Sequence, residues 1–258
     1  MTAATRHRLL VRRPSPGLAD GELTHLERWP VDLDLARRQW DAYVEVFVRR
    51  GWEVHEVEAS DEHPDGVFVE DTVVVLGTTA LLAEPGVASR RGEAAGTARA
   101  VARLGLDVLH VTPPATLEGG DVLELTDGTV YVGRGTRTND AGVAQLAALA
   151  GDQGRTVVAV PVTRALHLKT AVTALPDDTV IGHEDLVDDP SVFPSYLPVP
   201  EREGTAVVVL DDETVLLSES APATAALLRD RGLDVVTTPV SEFEKLEGCV
   251  TCLSVRIR

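Results

Sequence analysis

Apolar positions along the chain follow two spacings that alternate in blocks. Spacings of three and four residues, which place side chains on one face of a helix, are followed by stretches typical of strands. Helical spacing occurs at 34–50, 89–104, 139–150, 221–231 and, in a shorter segment, 241–247. Strand-like stretches occur at 8–13, 52–57, 67–76, 79–84, 107–111, 121–125, 129–133, 156–162, 170–175, 179–182, 197–200, 205–210, 214–218, 234–240 and 250–257. The pattern predicts an α/β protein whose strands come in short groups.

The blocks form a repeat, in which a helix is followed by two or three strands about every 45 residues. The fifth unit lacks a final strand at the C-terminus, and the strand at 8–13 can supply it. Pairing the two ends of the chain would close a ring and remove exposed sheet edges. We therefore predict a five-bladed α/β propeller in a single domain spanning 1–258, with the weakly patterned stretch 183–196 leaving the fourth unit unclear.

An open doubly wound sheet is the competing interpretation. That fold alternates one strand with one helix, whereas the strands here come in groups joined by hairpin signals such as Asp127-Gly128. No linker or shift in composition divides the chain. The closed ring is therefore preferred.

The charge balance narrows the classes of partner. Lys and Arg number 24 against 41 Asp and Glu, which gives a net charge of −17 at pH 7. This balance disfavours nucleic acid and anionic membrane surfaces and attracts a small cation, although it also serves solubility alone. No apolar stretch approaches the roughly 20 residues that span a bilayer. The segment from Met1 to Arg8 lacks the apolar core of a signal peptide, so we predict a cytoplasmic protein.

The two cysteines, Cys249 and Cys252, form a C-x-x-C in the last strand-like stretch. Two cysteines supply half of a structural zinc site, and no second pair exists. A thioredoxin-like redox pair would lie between an early strand and a helix. Buried core cysteines are one remaining interpretation, and a single nucleophile with a base and an orienting acid elsewhere is another.

A histidine and an acid followed by two glycines could complete such a site. His167 lies between two strands in Arg-Ala-Leu-His-Leu-Lys-Thr. Most other histidines lie in the tail, in a loop or at alternating positions within strands. The motif Glu118-Gly-Gly-Asp121 lets the backbone approach a neighbour closely. A lone histidine is often structural, and the glycines also fit a plain turn, so both interpretations stay open.

Buried acids and two arginines could hold a ligand. Asp65, Glu70 and Asp71 lie in or beside an apolar stretch, where a cationic ligand or a salt bridge would offset the cost of burial. Successive residues of a regular strand point to opposite faces, so Glu70 and Asp71 reach one ligand only at a strand end or bulge. Arg90 and Arg137 could grip a carboxylate or remain solvated.

Together these motifs resemble the dimethylarginine dimethylaminohydrolases, within the guanidino-modifying enzymes known as penteins. The matching stretches run in the family's order and span nearly the whole chain. They are HPDGVFVEDT (63–72), PGVASRRGE (85–93), LEGGDVL (117–123), GRGTRTN (133–139), ALHLKT (165–170) and TCLSV (251–255). The resemblance implies a five-bladed ring of ββαβ units, which agrees with the repeat.

The resemblance implies a catalytic role for three residues. Cys252 is the nucleophile, His167 is the general acid and base, and Glu118 orients the histidine. The implied reaction converts asymmetric dimethylarginine or monomethylarginine and water to citrulline and dimethylamine or methylamine, through a covalent thiouronium on the cysteine. It requires no metal and no organic cofactor. A homodimer is compatible with the resemblance.

Substrate-binding roles follow from the same resemblance. Carboxylates hold the guanidinium, arginines hold the α-carboxylate, and backbone groups hold the α-amino group. The carboxylates are those of Asp65, Glu70 and Asp71, and the arginines are Arg90 and Arg137. The backbone groups are those of Leu18 and Leu246. The loop from Pro14 to Pro30 matches the family's mobile lid.

Lys169 bears on the choice of substrate. Arginine deiminases, which are similar to this chain, place an acid two residues after the histidine, where it grips the second guanidinium nitrogen. Lys169 occupies that position, and an alkylated nitrogen needs room there, which favours the methylarginine hydrolases. The alternatives are a deiminase-like enzyme acting on another guanidine and a non-catalytic arginine-binding protein on the same fold. Cys249 has no role in either case.

Overall fold

The computed structural model describes residues 7–258, so most of the N-terminal segment considered above lies outside it. Within this range, fifteen strands form five three-stranded sheets. The strands are β1 (Arg8–Val11), β2 (Glu53–Glu56), β3 (Val73–Leu76), β4 (Thr79–Leu82), β5 (Asp107–His110), β6 (Val122–Glu124), β7 (Thr129–Arg134), β8 (Thr156–Pro161), β9 (Val172–Ala174), β10 (Val180–Gly182), β11 (Tyr196–Pro198), β12 (Val207–Val209), β13 (Thr214–Ser218), β14 (Asp234–Thr238) and β15 (Val255–Ile257). The helices are α1 (Leu33–Arg49), α2 (Ala94–Arg103), α3 (Asp140–Asp152), α4 (Leu168–Ala171), α5 (Pro222–Asp230) and α6 (Ser241–Glu244).

All five sheets share one connectivity. The first strand pairs antiparallel with the middle strand, and the third strand pairs parallel with the middle strand after a crossover. A parallel pair needs a long crossover, because the chain must return to the same end of the sheet. In four sheets the crossover contains α1, α2, α3 or α5. The predicted repeat therefore corresponds to the sheets themselves.

The ring closes through the first and last strands. β15 pairs antiparallel with β1, with Leu10 opposite Val255 and Arg8 opposite Ile257, and β2 completes the sheet. The first strands of the five sheets, β3, β6, β9, β12 and β15, line one central cavity. The prediction of a five-bladed ring closed by the N- and C-terminal strands is confirmed.

The fourth unit departs from the repeat in its crossover. Between β10 and β11 the chain forms a 3-10 turn at Pro190–Val192, and no α-helix lies in this described segment. The side chain of Asp189 accepts a hydrogen bond from the backbone N–H of Ser191 and so starts the turn. The weak pattern at 183–196 therefore reflects the absence of a helical face.

Two predicted strands begin later in the structure than in the sequence pattern. Residues Pro64–Val67 and Val69–Thr72 form 3-10 turns, and the strand predicted at 67–76 starts only at Val73. The strand predicted at 250–257 covers only Val255–Ile257. Buried apolar residues occupy these turns, and periodicity alone does not separate a buried turn from a buried strand.

The core is mostly aliphatic, with an aromatic cluster beneath α1 and a second around Phe193. This helix begins at Asp32, whose carboxylate accepts a hydrogen bond from the backbone N–H of Leu35. Its buried face places Tyr43 and Phe47 with ring centroids 5.1 Å apart, and Phe47 lies 5.4 Å from the ring of Trp52. Among residues 7–258, no helix is long and apolar enough to cross a bilayer.

Candidate active site

Most of the predicted site residues meet in one pocket. Seven of the ten line it: Asp65, Asp71, Arg90, Arg137, His167, Leu246 and Cys252. They come largely from the turns that precede the first strands of the sheets. Glu118 lies behind His167, Leu18 lies in the loop beside the pocket, and Glu70 lines the central cavity instead.

His167 and Glu118 form a buried ion pair. The imidazole Nε2 lies 2.7 Å from Glu118 Oε2, and both side chains are almost fully buried. Burial alone would lower the pKa of His167, but Asp71 and the hydrogen bond with Glu118 raise it to about 9. Burial would raise the pKa of Glu118, but His167 and nearby arginines lower it to about 2. The histidine is therefore protonated at neutral pH.

Asp71 lies between the histidine and an arginine. Its Oδ2 accepts a hydrogen bond from Arg90 at 2.7 Å, and its Oδ1 lies 3.8 Å from His167 Nδ1. Arg90 also donates to both carboxylate oxygens of Glu93. In this structure Arg90 is thus hydrogen-bonded to two acids and lies 3.6 Å from a third, Glu118, so these acids compete with a ligand carboxylate for its guanidinium.

The double glycine lets the backbone pass close to this cluster. The N–H of Gly120 donates to Asp71 Oδ1 at 3.1 Å. A Cβ on Gly120 would lie 2.5 Å from that oxygen and 2.8 Å from the His167 ring. A Cβ on Gly119 would lie 2.1 Å from the carbonyl oxygen of Glu70. The close approach predicted for this motif is therefore present at both glycines.

Arg137 has a donor available for a ligand. Its guanidinium is buried, and one terminal nitrogen donates to Thr24 Oγ1 at 3.3 Å. The other terminal nitrogen lies 3.8 Å from Glu118 Oε1 and has no hydrogen-bond partner within residues 7–258. A buried polar group without a partner is costly, so this nitrogen favours an acceptor brought by a ligand.

Asp65 and Leu18 connect the N-terminal loop to the pocket. Asp65 Oδ2 accepts a hydrogen bond from the backbone N–H of Glu22 at 2.9 Å, and burial raises the pKa of Asp65. Leu18 is fully buried in the 3-10 turn Leu18–Asp20, and its carbonyl accepts the N–H of Gly21 at 3.2 Å. Leu246 faces the loop from the pocket wall.

Glu70 does not share the pocket with Asp71. Its Oε1 pairs with Lys169 Nζ at 2.7 Å and with Arg256 at 2.5 Å. Burial opposes the charged form, but these two cations lower the pKa of Glu70. Because the two acids are successive residues of one tight turn, their side chains diverge. The salt-bridge interpretation therefore describes Glu70 better than guanidinium binding does.

Two buried acids and a partly buried arginine also support the site, and the sequence alone indicated no role for them. Asp121 accepts from the backbone N–H of Leu168 at 2.9 Å, and burial raises the pKa of Asp121 to about 6. Arg256 donates to the carbonyls of Thr251 and Ser254, both at 2.8 Å, and so braces the turn around Cys252. The third is Glu93, whose spacing of three residues from Arg90 was a usable signal.

The two cysteines lie in contact within this turn. Their sulfurs are 3.2 Å apart, and Cys249 Sγ is also 3.2 Å from Thr251 Oγ1. The hydrogen bond between the sulfurs lowers the pKa of Cys249 and raises the pKa of Cys252, and burial raises the latter further. In the free protein Cys252 is therefore a thiol, and a cation in the pocket would favour its thiolate.

Glu247 holds the loop at residues 24–26 beside the pocket through hydrogen bonds. Its carboxylate accepts hydrogen bonds from the backbone N–H groups of Thr24 at 3.1 Å, Leu26 at 2.8 Å and His25. The residue has a positive φ of 59° and is only 8% exposed. Three donors on one buried carboxylate make a strong, charge-assisted contact.

We expect Glu247→Gln to loosen the loop without unfolding the protein. An uncharged amide has one acceptor oxygen, so the variant loses charge-assisted hydrogen bonds of about 1.5 kcal/mol or more. Amide hydrogen exchange of the N–H groups of residues 24–26 should accelerate by roughly tenfold. Glu244→Gln is the matched control, because Glu244 bonds Ser218 and Ser220 and not the loop. Equal amide exchange rates at residues 24–26 in both variants would show that the Glu247 carboxylate does not hold the loop.

We expect the His167 ion pair to make stability depend on pH. Folding raises the pKa of His167 from 6.5 to about 9, so its contribution is fully present below pH 6.5 and is lost as the pH rises through about 9. Folding lowers the pKa of Glu118 from 4.5 to about 2, so its contribution is present above pH 4.5 and is lost as the pH falls through about 2. Both contributions are complete between pH 4.5 and 6.5.

Urea unfolding of the wild type and His167→Gln at a series of pH values tests this expectation. The difference in unfolding free energy should be largest between pH 4.5 and 6.5 and should shrink toward pH 9.5 or so. Groups that titrate alike in both proteins cancel in the difference. A difference that stays constant from pH 6.5 to above 9 would show that the histidine is not held protonated.

Asp71, Glu118 and His167 also form the one cluster within residues 7–258 whose ligand atoms lie close enough, within 4.8 Å, to share a metal ion. The guanidinium of Arg90 already contacts both acids, at 2.7 and 3.6 Å. A metal ion would have to displace the imidazolium proton and lie beside the arginine, and both requirements oppose its binding. The C-x-x-C is not part of such a cluster.

Comparison with known proteins agrees with the motifs. A sequence model described as arginine deiminase matches residues 98–203. An N(G),N(G)-dimethylarginine dimethylaminohydrolase of Streptomyces coelicolor is 59% identical over 249 residues, which cover 96% of this chain and 96% of that protein. A protein of the same name from Pseudomonas aeruginosa is 29% identical over 252 residues, which cover 96% of this chain and 98% of that protein.

Solved structures resemble the whole described fold. The Pseudomonas aeruginosa enzyme, as a cysteine-to-serine variant complexed with citrulline, has a TM-score of 0.89 at 28% identity, covering 97% of this chain and 98% of that one. A histidine-to-glycine variant of a dimethylarginine dimethylaminohydrolase, as an adduct with S-methyl-L-thiocitrulline, has a TM-score of 0.88 at 28% identity, covering 97% and 99%. The five-bladed architecture is common to these proteins and this chain.

Proposed function

Because this chain belongs to the dimethylarginine dimethylaminohydrolase family, we propose that it hydrolyses Nω-methylated arginine to citrulline and methylamine or dimethylamine. The observation that carries the proposal is the pocket itself. It joins a cysteine thiol, a protonated histidine and a buried carboxylate, in Cys252, His167 and Asp71. A nucleophile that attacks a guanidinium carbon and an acid that protonates the departing amine are the groups that this reaction requires, together with a carboxylate that binds the cation.

The charges of the pocket suit a guanidinium at one end and a carboxylate at the other. We assign the guanidinium to Asp71, beside the nucleophile, where pairing with N–H groups positions the reacting carbon. We assign the substrate carboxylate to Arg137, whose unpartnered nitrogen needs an acceptor. Asp65 lines the same pocket and is assigned to the guanidinium with Asp71, and the backbone near Leu18 and Leu246 suits the α-amino group. Glu70 acts from the far side of the turn, through its ion pairs.

Binding of the cation starts the reaction. A guanidinium beside Cys252 favours the thiolate, so the thiol releases its proton to solvent and the thiolate attacks the central carbon. His167, protonated at neutral pH, donates its proton to the departing amine, and a thiouronium remains on the sulfur. The histidine, now neutral, takes a proton from water as the water attacks this carbon, and citrulline leaves with the thiol restored. Glu118 holds the imidazole and stabilises its charged form throughout.

The position of Lys169 supports a methylated substrate. Its ammonium pairs with Glu70 and lines the central cavity, so it does not reach into the substrate pocket. The pocket therefore lacks an acid at this position to pair with an unsubstituted nitrogen. A substrate whose nitrogen carries a methyl group loses no ion pair there. A deiminase acting on arginine or a related guanidine is the second candidate, because the matching sequence model is that of the arginine deiminases.

Product analysis separates the two candidates. The purified protein is incubated with asymmetric dimethylarginine and, separately, with arginine, and citrulline, dimethylamine and ammonia are measured. We expect citrulline and dimethylamine from the first and no product from the second. Citrulline and ammonia from arginine would favour the deiminase, and no product from either would favour a non-catalytic arginine-binding protein. A cytoplasmic location and a homodimer remain predictions for fractionation and light scattering.

A further inference from the structure

Cys249 is a thiol in contact with the proposed nucleophile, and the proposed reaction leaves it without a role. The sulfurs of Cys249 and Cys252 are 3.2 Å apart in one turn, with Val250 and Thr251 between them. A disulfide requires the sulfurs to approach to about 2.05 Å, and here they start 3.2 Å apart. The contact therefore presents two thiols that are ready to react with each other.

The two cysteines also line different cavities. Cys252 lines the substrate pocket, whereas Cys249 lines a neighbouring cavity of about 160 Å³. Leu166, Glu247 and Gly248 line both cavities and form the wall between them. A small oxidant or reductant can therefore reach the sulfur pair through the second cavity, without passing through the substrate pocket.

We propose that Cys249 is a redox partner of Cys252, and that a hydroperoxide converts the pair to a disulfide that inactivates the enzyme reversibly. The loss of activity rests on the proposed function, because only a nucleophilic Cys252 would make the disulfide inhibitory. Formation of the disulfide itself rests only on the geometry of the two thiols. A disulfide between residues so close in one turn belongs to the labile, regulatory kind rather than the structural kind.

The oxidation balances with one hydroperoxide for two thiols. One thiolate of the pair attacks the terminal oxygen of the hydroperoxide, the oxygen–oxygen bond breaks, and a sulfenic acid and, after uptake of a proton, an alcohol or water result. The second thiolate attacks the sulfenic sulfur and displaces hydroxide, which takes up a proton and leaves as water. A dithiol reverses the change by thiol–disulfide exchange.

The surroundings of Cys249 favour its ionisation. The hydrogen bond from Cys252 lowers the pKa of Cys249, and Thr251 Oγ1 also lies within hydrogen-bond distance of this sulfur. As a residue, Cys249 is partly exposed, whereas Cys252 is buried. Thiolate character and access are the two properties that make a cysteine sensitive to peroxide.

A mass measurement tests the proposal directly. Trypsin cleaves after Lys245 and Arg256, so both cysteines lie in one peptide, Leu246–Arg256. After hydrogen peroxide treatment and alkylation of free thiols, we expect the unalkylated wild-type peptide with a loss of about 2 Da. Activity should fall in parallel, and dithiothreitol should restore both the mass and the activity.

Cys249→Ser is the matched control. This variant should never show the loss of about 2 Da, and activity lost on prolonged exposure should stay lost, because Cys252 proceeds alone to sulfinic acid. Oxygen addition without the disulfide in the wild type, a disulfide between two chains, or full recovery of the oxidised variant by dithiothreitol would overturn the proposal. The peptide mass reports the disulfide even in a protein without hydrolase activity, so the two proposals fail separately.

Discussion

Cys252→Ser should reduce the turnover of asymmetric dimethylarginine by a factor on the order of 10⁴ or more. A serine hydroxyl ionises far less readily than a thiol, and a nearby cation does not close that gap. The substitution replaces one sulfur by oxygen in the pocket wall and removes none of the acids and arginines that we assign to substrate binding. Steady-state rates and calorimetric titration with citrulline should therefore show lost turnover with binding retained.

Cys249→Ser provides the comparison, because it makes the same change of atom in the same turn. We expect this variant to lose less than about tenfold in turnover, since its sulfur lies outside the substrate pocket. Similar losses in the two variants would assign the effect to the turn rather than to the nucleophile. Turnover of Cys252→Ser at more than a few per cent of the wild-type rate would contradict the proposed role.

Much of the fold could be predicted because the repeat is periodic in the sequence. Helical and strand-like stretches recur in a fixed order, and the unpaired first strand at 8–13 indicated that the ring closes through β15. The crossover at 183–196 could not be predicted, because it has no helical face and its shape depends on local turns. The 3-10 turn before β3 and the turn before β15 resemble strands in the sequence, since their apolar residues are buried just as strand residues are.

The candidate site was predictable where a motif was local and unpredictable where it depended on distant pairing. Glu118 with its two glycines, His167 and Cys252 each lie in a short recognisable context. The direction of Glu70 depends on Arg256, which lies 186 residues further along the chain. The role of Glu247 depends on backbone N–H groups more than 220 residues away. No local pattern encodes such pairs.

One structural rule connects the ring to the chemistry of the site. The residues just before a first strand lie in a tight turn, and the side chains of one turn reach both sides of it. Asp71 and His167 face the pocket, whereas Glu70 and Lys169 face the central cavity, where they pair with each other. The reactive groups are thereby supported from behind by ion pairs that do not touch the pocket. Residues about 45 or more apart in sequence thus converge, because each unit supplies one such turn.

His167→Gly should separate formation of the covalent adduct from its hydrolysis. With dimethylarginine the variant lacks the acid that protonates the amine, so we expect turnover to fall by a factor on the order of 10³ and little adduct to form. S-methyl-L-thiocitrulline, the compound bound in the related histidine-to-glycine structure, releases methanethiol, which needs less protonation. With this compound the thiouronium should form on Cys252 and persist, because no base activates water.

Intact-protein mass spectrometry measures the adduct. The protein mass should increase by the mass of the compound minus the mass of methanethiol. His110→Gly is the control, because His110 is exposed on β5 and the same change there should leave no adduct. Added imidazole should restore part of the turnover of His167→Gly, which a purely structural loss would not allow. If the adduct were hydrolysed at the wild-type rate, His167 would not be the base. If no adduct formed on a variant shown to bind the compound, the attack itself would depend on the histidine, and the charged imidazole would have to act before the first bond is made.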